Sequence, residues 1–111
     1  MSTGYYELKK ASDDQFHFVL KAGNHEVILS SERYKQRSGA TNGIKSVREN
    51  CASDSRYERK KSTNKKDYFV LKAANHEIIG KSEMYESVAA MENGINSVKT
   101  NGLSEDVKDK T

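Results

Sequence analysis

Two hydrophobic periods alternate along this chain. Phe16, Phe18, Leu20 and Ala22 recur at every second position, as do Phe69, Leu71 and Ala73, which predicts extended strands with one apolar face. His17, Val19 and Lys21, with Tyr68, Val70 and Lys72, then fall on the opposite, outer face. A strand from Tyr5 to Ala11 precedes the first of these and ends at the turn-prone Ser12-Asp13-Asp14-Gln15. Either Tyr6, Leu8 and Lys10 or Tyr5, Glu7 and Lys9 share the outer face; spacing leaves both open. Gly23-Asn24 and Ala74-Asn75 reverse the chain, and third strands follow over His25 to Ser30 and His76 to Lys81. Asparagine tolerates the left-handed backbone region, so Asn24 and Asn75 are expected to take positive φ.

The period then lengthens. Ala40, Gly43, Ile44 and Val47 stand at i, i+3, i+4 and i+7, as do Met91, Gly94, Ile95 and Val98, predicting an amphipathic helix in each place. Ser87 is the expected N-cap of the second helix, and Asn50 and Asn101 are expected to end the two. A mid-helix glycine costs about 1 kcal/mol against alanine. Finding Gly43 and Gly94 at matching places predicts a close approach of helix to sheet, where a Cβ would not fit.

These patterns are one unit written twice. Residues 5–51 and 56–102 align without a gap at a spacing of 51, and 22 of the 47 paired positions are identical. A repeat of this clarity sets the architecture. The expected fold class is α+β: two tandem β-β-β-α repeats forming one antiparallel sheet, both helices on one face, related by a pseudo-two-fold. Residues 1–111 form one domain, since each half alone is close to the size at which a core is marginal. The linker Ala52 to Ser55 is too short to let the halves part, so a monomer is expected. The tail 103–111 is expected to fray.

Composition adds bounds. Hydrophobic residues make up 34% with no Trp, which allows a core only one layer deep. One cysteine, Cys51, excludes an internal disulfide and a multi-cysteine zinc site. No stretch approaches the ~20 apolar residues that span a bilayer, and Met1 to Tyr6 has no secretory-signal character. A cytoplasmic protein with no membrane association is expected. The net charge of +3 is concentrated in Arg56 to Lys66, which holds six basic residues against Glu58 alone.

The motifs, taken together, resemble the YegP-like family, small bacterial proteins classed as a domain of unknown function. The residues that carry this are Phe69-Val70-Leu71-Lys72-Ala73-Ala74-Asn75-His76 with Ile79-Gly80, the Ser-Glu-x-Tyr of Ser82 to Tyr85, and Gly94-Ile95-x-Ser97-Val98, echoed in Phe18 to Asn24 and Gly43 to Val47. The resemblance implies β-β-β-α(-β) repeats in one sheet with exchanged C-terminal strands, the last drawing on Val107, and a tandem chain equivalent to a fused dimer. It brings no activity, cofactor or catalytic residue.

The residues themselves point the same way. In Asn24-His25-Glu26 and Asn75-His76-Glu77, neighbouring strand positions face opposite ways, so His and Glu cannot chelate one metal together. Cys51 has neither a base nor an orienting group assigned to it, and there is no Gly-rich phosphate loop. The function expected is that of a small non-enzymatic binding module without a cofactor, engaging a protein or peptide through the exposed sheet face or an edge. Its candidate surface comprises Lys21, Lys72, Tyr68, Arg59, Lys60 and Lys61, with Asn24, Asn75, Gly43 and Gly94 structural. The alternative is single-stranded nucleic acid, held by the Lys/Tyr face and the Arg56–Lys66 segment as on a stacking platform.

Overall fold

A computed structural model describes residues 4–111; Met1 to Thr3, the start of the segment read for a secretory signal, lie outside the described residues. The elements run β1 (Tyr5–Lys10), β2 (Phe16–Lys21), β3 (Val27–Ser31), α1 (Arg37–Asn50), a 3-10 turn (Asp54–Arg56), β4 (Tyr57–Lys61), β5 (Asp67–Lys72), β6 (Ile78–Lys81), α2 (Val88–Asn101) and β7 (Val107–Asp109). The strands form one sheet in the order β4-β5-β6-β3-β2-β1-β7. Both repeats take the expected order, and the halves join edge to edge where β3 pairs with β6 through Ser30↔Lys81 and Ser31↔Gly80.

Six strands pair antiparallel, as expected, and β7 adds a parallel edge beside β1. The direction has a cause: β7 leaves α2 as β4 leaves α1, so it runs the same way as β1, the strand that matches β4 in the first repeat. The tail is therefore not frayed. Tyr6 N–H donates to the Asp106 carbonyl at 2.9 Å, and Lys110 N–H to that of Leu8 at 2.8 Å.

The core is a single layer between sheet and helices. Tyr6, Leu8, Phe18, Leu20 and Leu29 from one half meet Tyr57, Phe69 and Leu71 from the other beneath Ala40, Ile44, Val47, Met91, Ile95 and Val98. That settles the phase of β1: Tyr6 and Leu8 face inward, Tyr5 and Glu7 outward. Tyr6 Oη donates to the Gly102 carbonyl and Tyr57 Oη to that of Cys51, each at 2.7 Å, so each repeat's first strand ties down the helix end of the other repeat. Ser87 caps α2 as expected, accepting from Ala90 N–H at 3.1 Å.

Two expectations are corrected. Positive φ falls on His25 (70°) and His76 (69°), not on Asn24 and Asn75. In the first repeat, His25 N–H bonds to the Ala22 carbonyl and Ala22 N–H to that of Glu26, a three-residue loop whose third residue must be left-handed. The asparagines instead accept from Glu26 N–H at 3.2 Å and Glu77 N–H at 3.1 Å, bracing the turn. The third strands consequently begin two residues later than expected. Gly43 and Gly94 do mark a close approach, but chiefly of a tyrosine slipped under the helix. A Cβ on Gly43 would meet the Tyr34 hydroxyl at 2.6 Å and Phe18 Cε2 at 2.8 Å, and one on Gly94 would lie 2.7 Å from Tyr85 Cζ. Each tyrosine ring stacks on its phenylalanine, Tyr34 on Phe18 and Tyr85 on Phe69. The Ser-Glu-x-Tyr motif holds them there: Ser82 Oγ accepts from Phe69 N–H at 3.0 Å and Ser31 Oγ from Phe18 N–H at 2.9 Å.

Candidate functional site

Strand pairing lays one row of side chains across six strands on the face away from the helices: Glu7, Val19, Ser30, Lys81, Val70 and Glu58 in spatial order. The row is nearly palindromic, as the pseudo-two-fold requires. A glutamate stands toward each end, clamped by two lysines. Glu7 meets Lys21 at 3.2 Å and Lys9 at 3.3 Å, and Glu58 meets Lys72 at 2.8 Å and Lys60 at 3.6 Å. Burial pushes the Glu7 carboxyl up, yet the two ammonium groups together outweigh it and hold it below its ordinary value. Lys72, assisted by Lys60, likewise lowers Glu58. Lys21 and Lys72 are thus committed to carboxylates, and Val19 and Val70 between the clamps are buried. Tyr68 carries the Lys81 ammonium over its ring at 5.1 Å. Lys21, Lys72 and Tyr68 do face outward, but the charges around them are internally paired.

The basic segment does not form one patch. Lys60 shares the outer face with Lys21, Lys72 and Tyr68, whereas Arg59 and Lys61 lie on the helix side, which corrects the grouping of all six on one surface. The reason is the pleat: adjacent residues of a strand face opposite ways. Arg59 reaches α2, where its guanidinium grips Glu92 through Nε at 2.5 Å and Nη2 at 3.1 Å and also meets Asp54 at 3.0 Å. Arg59 holds the Glu92 carboxyl below its ordinary value. Lys61 meets the buried Asp67 at 3.5 Å, and Lys66 pairs with Glu86.

Beside these residues lies an open groove of about 290 Å³ between β4 and α2, lined by Arg59, Lys60, Lys61, Asp67, Met91 and Glu92 with the exposed Val88 at its rim. It runs along β4, an edge strand whose outer side meets no other strand among the described residues. Sequence reading missed both the groove and the glutamate clamps. The clamps had a signal: Glu7 and Glu58 are repeat partners, each followed two and fourteen residues later by a lysine. The groove had none, because it depends on which strand is left at the edge.

The remaining candidates stay apart. His25 accepts or donates through Nδ1 to the Tyr5 hydroxyl at 2.8 Å, at the tip of one hairpin, while His76 tops another. Cys51 is buried, its thiol pushed up by that burial, and its Sγ lies 3.7 Å from the Arg48 carbonyl oxygen. Among the described residues no three His, Cys, Asp or Glu side chains gather, and no helix is long and apolar enough to cross a membrane.

Comparison with known proteins completes the picture. The model of a domain of unknown function, DUF1508, matches twice, over residues 11–58 and 62–109. A UPF0339 protein of Shewanella oneidensis is 58% identical over 109 residues, which covers 98% of this chain and 99% of that protein. The solution NMR structure of YegP from Escherichia coli, described as a protein of unknown function, superposes with a TM-score of 0.95 at 55% identity, covering 100% of this chain and 96% of that one. The NMR structure of a UPF0339 protein from Shewanella oneidensis gives 0.91 at 59% identity, covering 98% and 92%.

Proposed function

The chain belongs to the DUF1508 family, and from that premise we propose that it is a non-enzymatic module, monomeric in solution, that binds a protein or peptide partner through its sheet. One observation carries the reading: among the described residues, the two helices cover one face of a seven-stranded sheet, and no element covers the other face or the edge of β4. The clamped glutamates give that face a pattern of paired charge. Single-stranded nucleic acid is the other occupant for this surface, but phosphate binding draws on free cations. Three of the six basic residues in Arg56–Lys66 already hold carboxylates within 3.5 Å, Arg59, Lys61 and Lys66, while Lys60 shares Glu58 with the closer Lys72.

A photo-crosslinking side chain installed at Lys21, Lys60 or Lys72 tests the proposal in cells against one at Glu49 on the helix layer. Reproducible protein adducts from the sheet positions, with none from Glu49, are expected. Equal capture of the same proteins from both sides would sink it.

A further inference from the structure

We propose that the open edge of β4 docks an extended segment of a partner protein, in which acidic and apolar residues alternate, as an eighth strand parallel to β4. This rests on the binding-module reading and names its site and the chemistry of its partner.

The pseudo-two-fold supplies the first argument. It carries β1 onto β4, and the place outside β1 is already filled by a parallel strand, β7, in the register Tyr6↔Val107, Glu7↔Lys108, Leu8↔Asp109. Tyr6 and Leu8 offer β7 their outward main-chain groups. Their repeat partners, Tyr57 and Arg59, offer the same side of β4. Tyr57 N–H is taken by the Asp54 carbonyl, so the free row begins at the Tyr57 carbonyl and continues through Arg59 to Lys61. An extended peptide satisfies such a row by strand addition.

Side chains decide the occupant's chemistry. At the filled edge, Asp109 of β7 turns to the helix layer and pairs with Arg37 of α1. The repeat partner of Arg37 is Val88, which is 56% exposed and stands over the groove near Met91. Where α1 offers a cation, α2 offers an apolar surface, so helix-side residues of the incoming strand should be apolar. On the outer side the residues that flank the edge are Glu58 and Lys60, and Glu58 is already held by Lys72 at 2.8 Å, while Lys60 meets it only at 3.6 Å. Lys60 is the cation available to an incoming acid. A second copy of β4 suits the edge poorly: antiparallel pairing centred on Arg59 sets two guanidinium groups opposite each other, and lysines on an edge strand discourage self-pairing.

The test titrates the isotope-labelled full chain with an eight-residue peptide of alternating valine and aspartate, and separately with one of alternating valine and lysine. The first should move and protect the Arg59 and Lys61 amides, with weaker binding by the second. Lys61→Pro, which removes one outward N–H without touching the β4–β5 ladder, should weaken binding about tenfold, the worth of one hydrogen bond. Val88→Asp should weaken it as well, by setting a charge against the apolar helix-side residues of the strand, while Glu49→Gln on the exposed face of α1 leaves it unchanged. Equal affinity for both peptides, shifts confined to the outer face, or indifference to both Lys61→Pro and Val88→Asp would overturn the proposal. So would a concentration-dependent dimer abolished by Lys61→Pro, which would make a second copy the occupant. If the edge fails while outer-face crosslinkers still capture partners, the binding-module reading stands without this site; if both fail, both are wrong.

Discussion

Cys51 and Gly102 are repeat partners that lie against each other: a Cβ added to Gly102 would sit 2.8 Å from Cys51 Sγ and 3.0 Å from its Cβ. The pseudo-two-fold brings the two helix ends together here, and only one of the two positions has room for a side chain. The difference between cysteine and glycine follows from this packing. Gly102→Ala should cost about 1–3 kcal/mol by overpacking. Part of that cost should vanish in a Cys51→Gly background, giving a coupling of at least ~0.5 kcal/mol, and the remainder reflects the Val98 carbonyl 2.7 Å from the same added carbon. Urea denaturation of the four proteins measures this. Additive costs would disprove the contact's role.

Gly94 and Tyr85 form a comparable pair. Alanine at Gly94 gains up to ~1 kcal/mol in helix propensity but meets the Tyr85 ring, at a cost of about 1–3 kcal/mol. Net destabilisation is expected. With Tyr85→Ala in place the same Gly94→Ala change should become neutral or stabilising, since the obstacle is the tyrosine. Chemical denaturation of both pairs decides, and a loss that persists without Tyr85 would place the obstacle in the sheet.

Acid should loosen the outer face. Glu7 and Glu58 have folded values below their ordinary ones, so their contribution is present above the unfolded carboxylate range, about pH 4.3, and is lost as pH falls through the folded values. Thermal melts from pH 7 to 2.5 should show stability falling through the acid range. Glu7→Gln should be less stable at neutral pH and less sensitive to acid. A parallel acid profile for the two proteins would exclude the clamp as a cause.

At the alkaline end the two tyrosines that tie down the helix ends dominate. Burial, with Cys51 adding to it, raises both Tyr6 and Tyr57 far above the ordinary phenol value. Their contribution is therefore complete below the unfolded value near 10 and is lost as pH climbs above it. Phenolate absorbance from these two should emerge only with unfolding, as a cooperative step in a titration followed at 295 nm and by circular dichroism. Tyr6→Phe and Tyr57→Phe should each cost about 1–3 kcal/mol by leaving a helix-end carbonyl unpaired.

The tail guards one edge of the sheet. Light scattering after size exclusion should give one chain's mass, 12.5 kDa, for the full protein. Truncation after Leu103 removes β7, the Arg37–Asp109 pair and the bond from Arg48 Nε to the Ser104 carbonyl. It should lower the melting temperature and introduce concentration-dependent self-association through the bared β1 edge. A truncated chain that melts like the parent would show that β7 contributes nothing to stability.

The apolar alternation of Phe18 and Leu20 and the stripe through Ile44 and Val47 were readable because each appears twice in register. A period of two gives a strand's two faces without saying which is inside, so the phase of β1 and the helix-side placement of Arg59 and Lys61 waited for the fold. The positive φ of His25 belonged to the loop's hydrogen bonding rather than to the residue's own preference. Three exposed residues, Val107 to Asp109, have no burial pattern to read. Their pairing comes from the direction in which α2 releases the chain.

That direction has a further consequence. At the 51-residue interval Val107–Asp109 occupies the positions of Arg56–Glu58, so the strand beginning at Tyr57 both opens the second unit and closes the first. Three successive strands, β1, β4 and β7, therefore qualify for two equivalent berths. Tyr6 and Tyr57 hold them, because each has a ring that fills the space under a helix end and a hydroxyl that reaches its carbonyl. Lys108, standing where those tyrosines stand, has neither, and its strand lies alongside as the unsuccessful claimant.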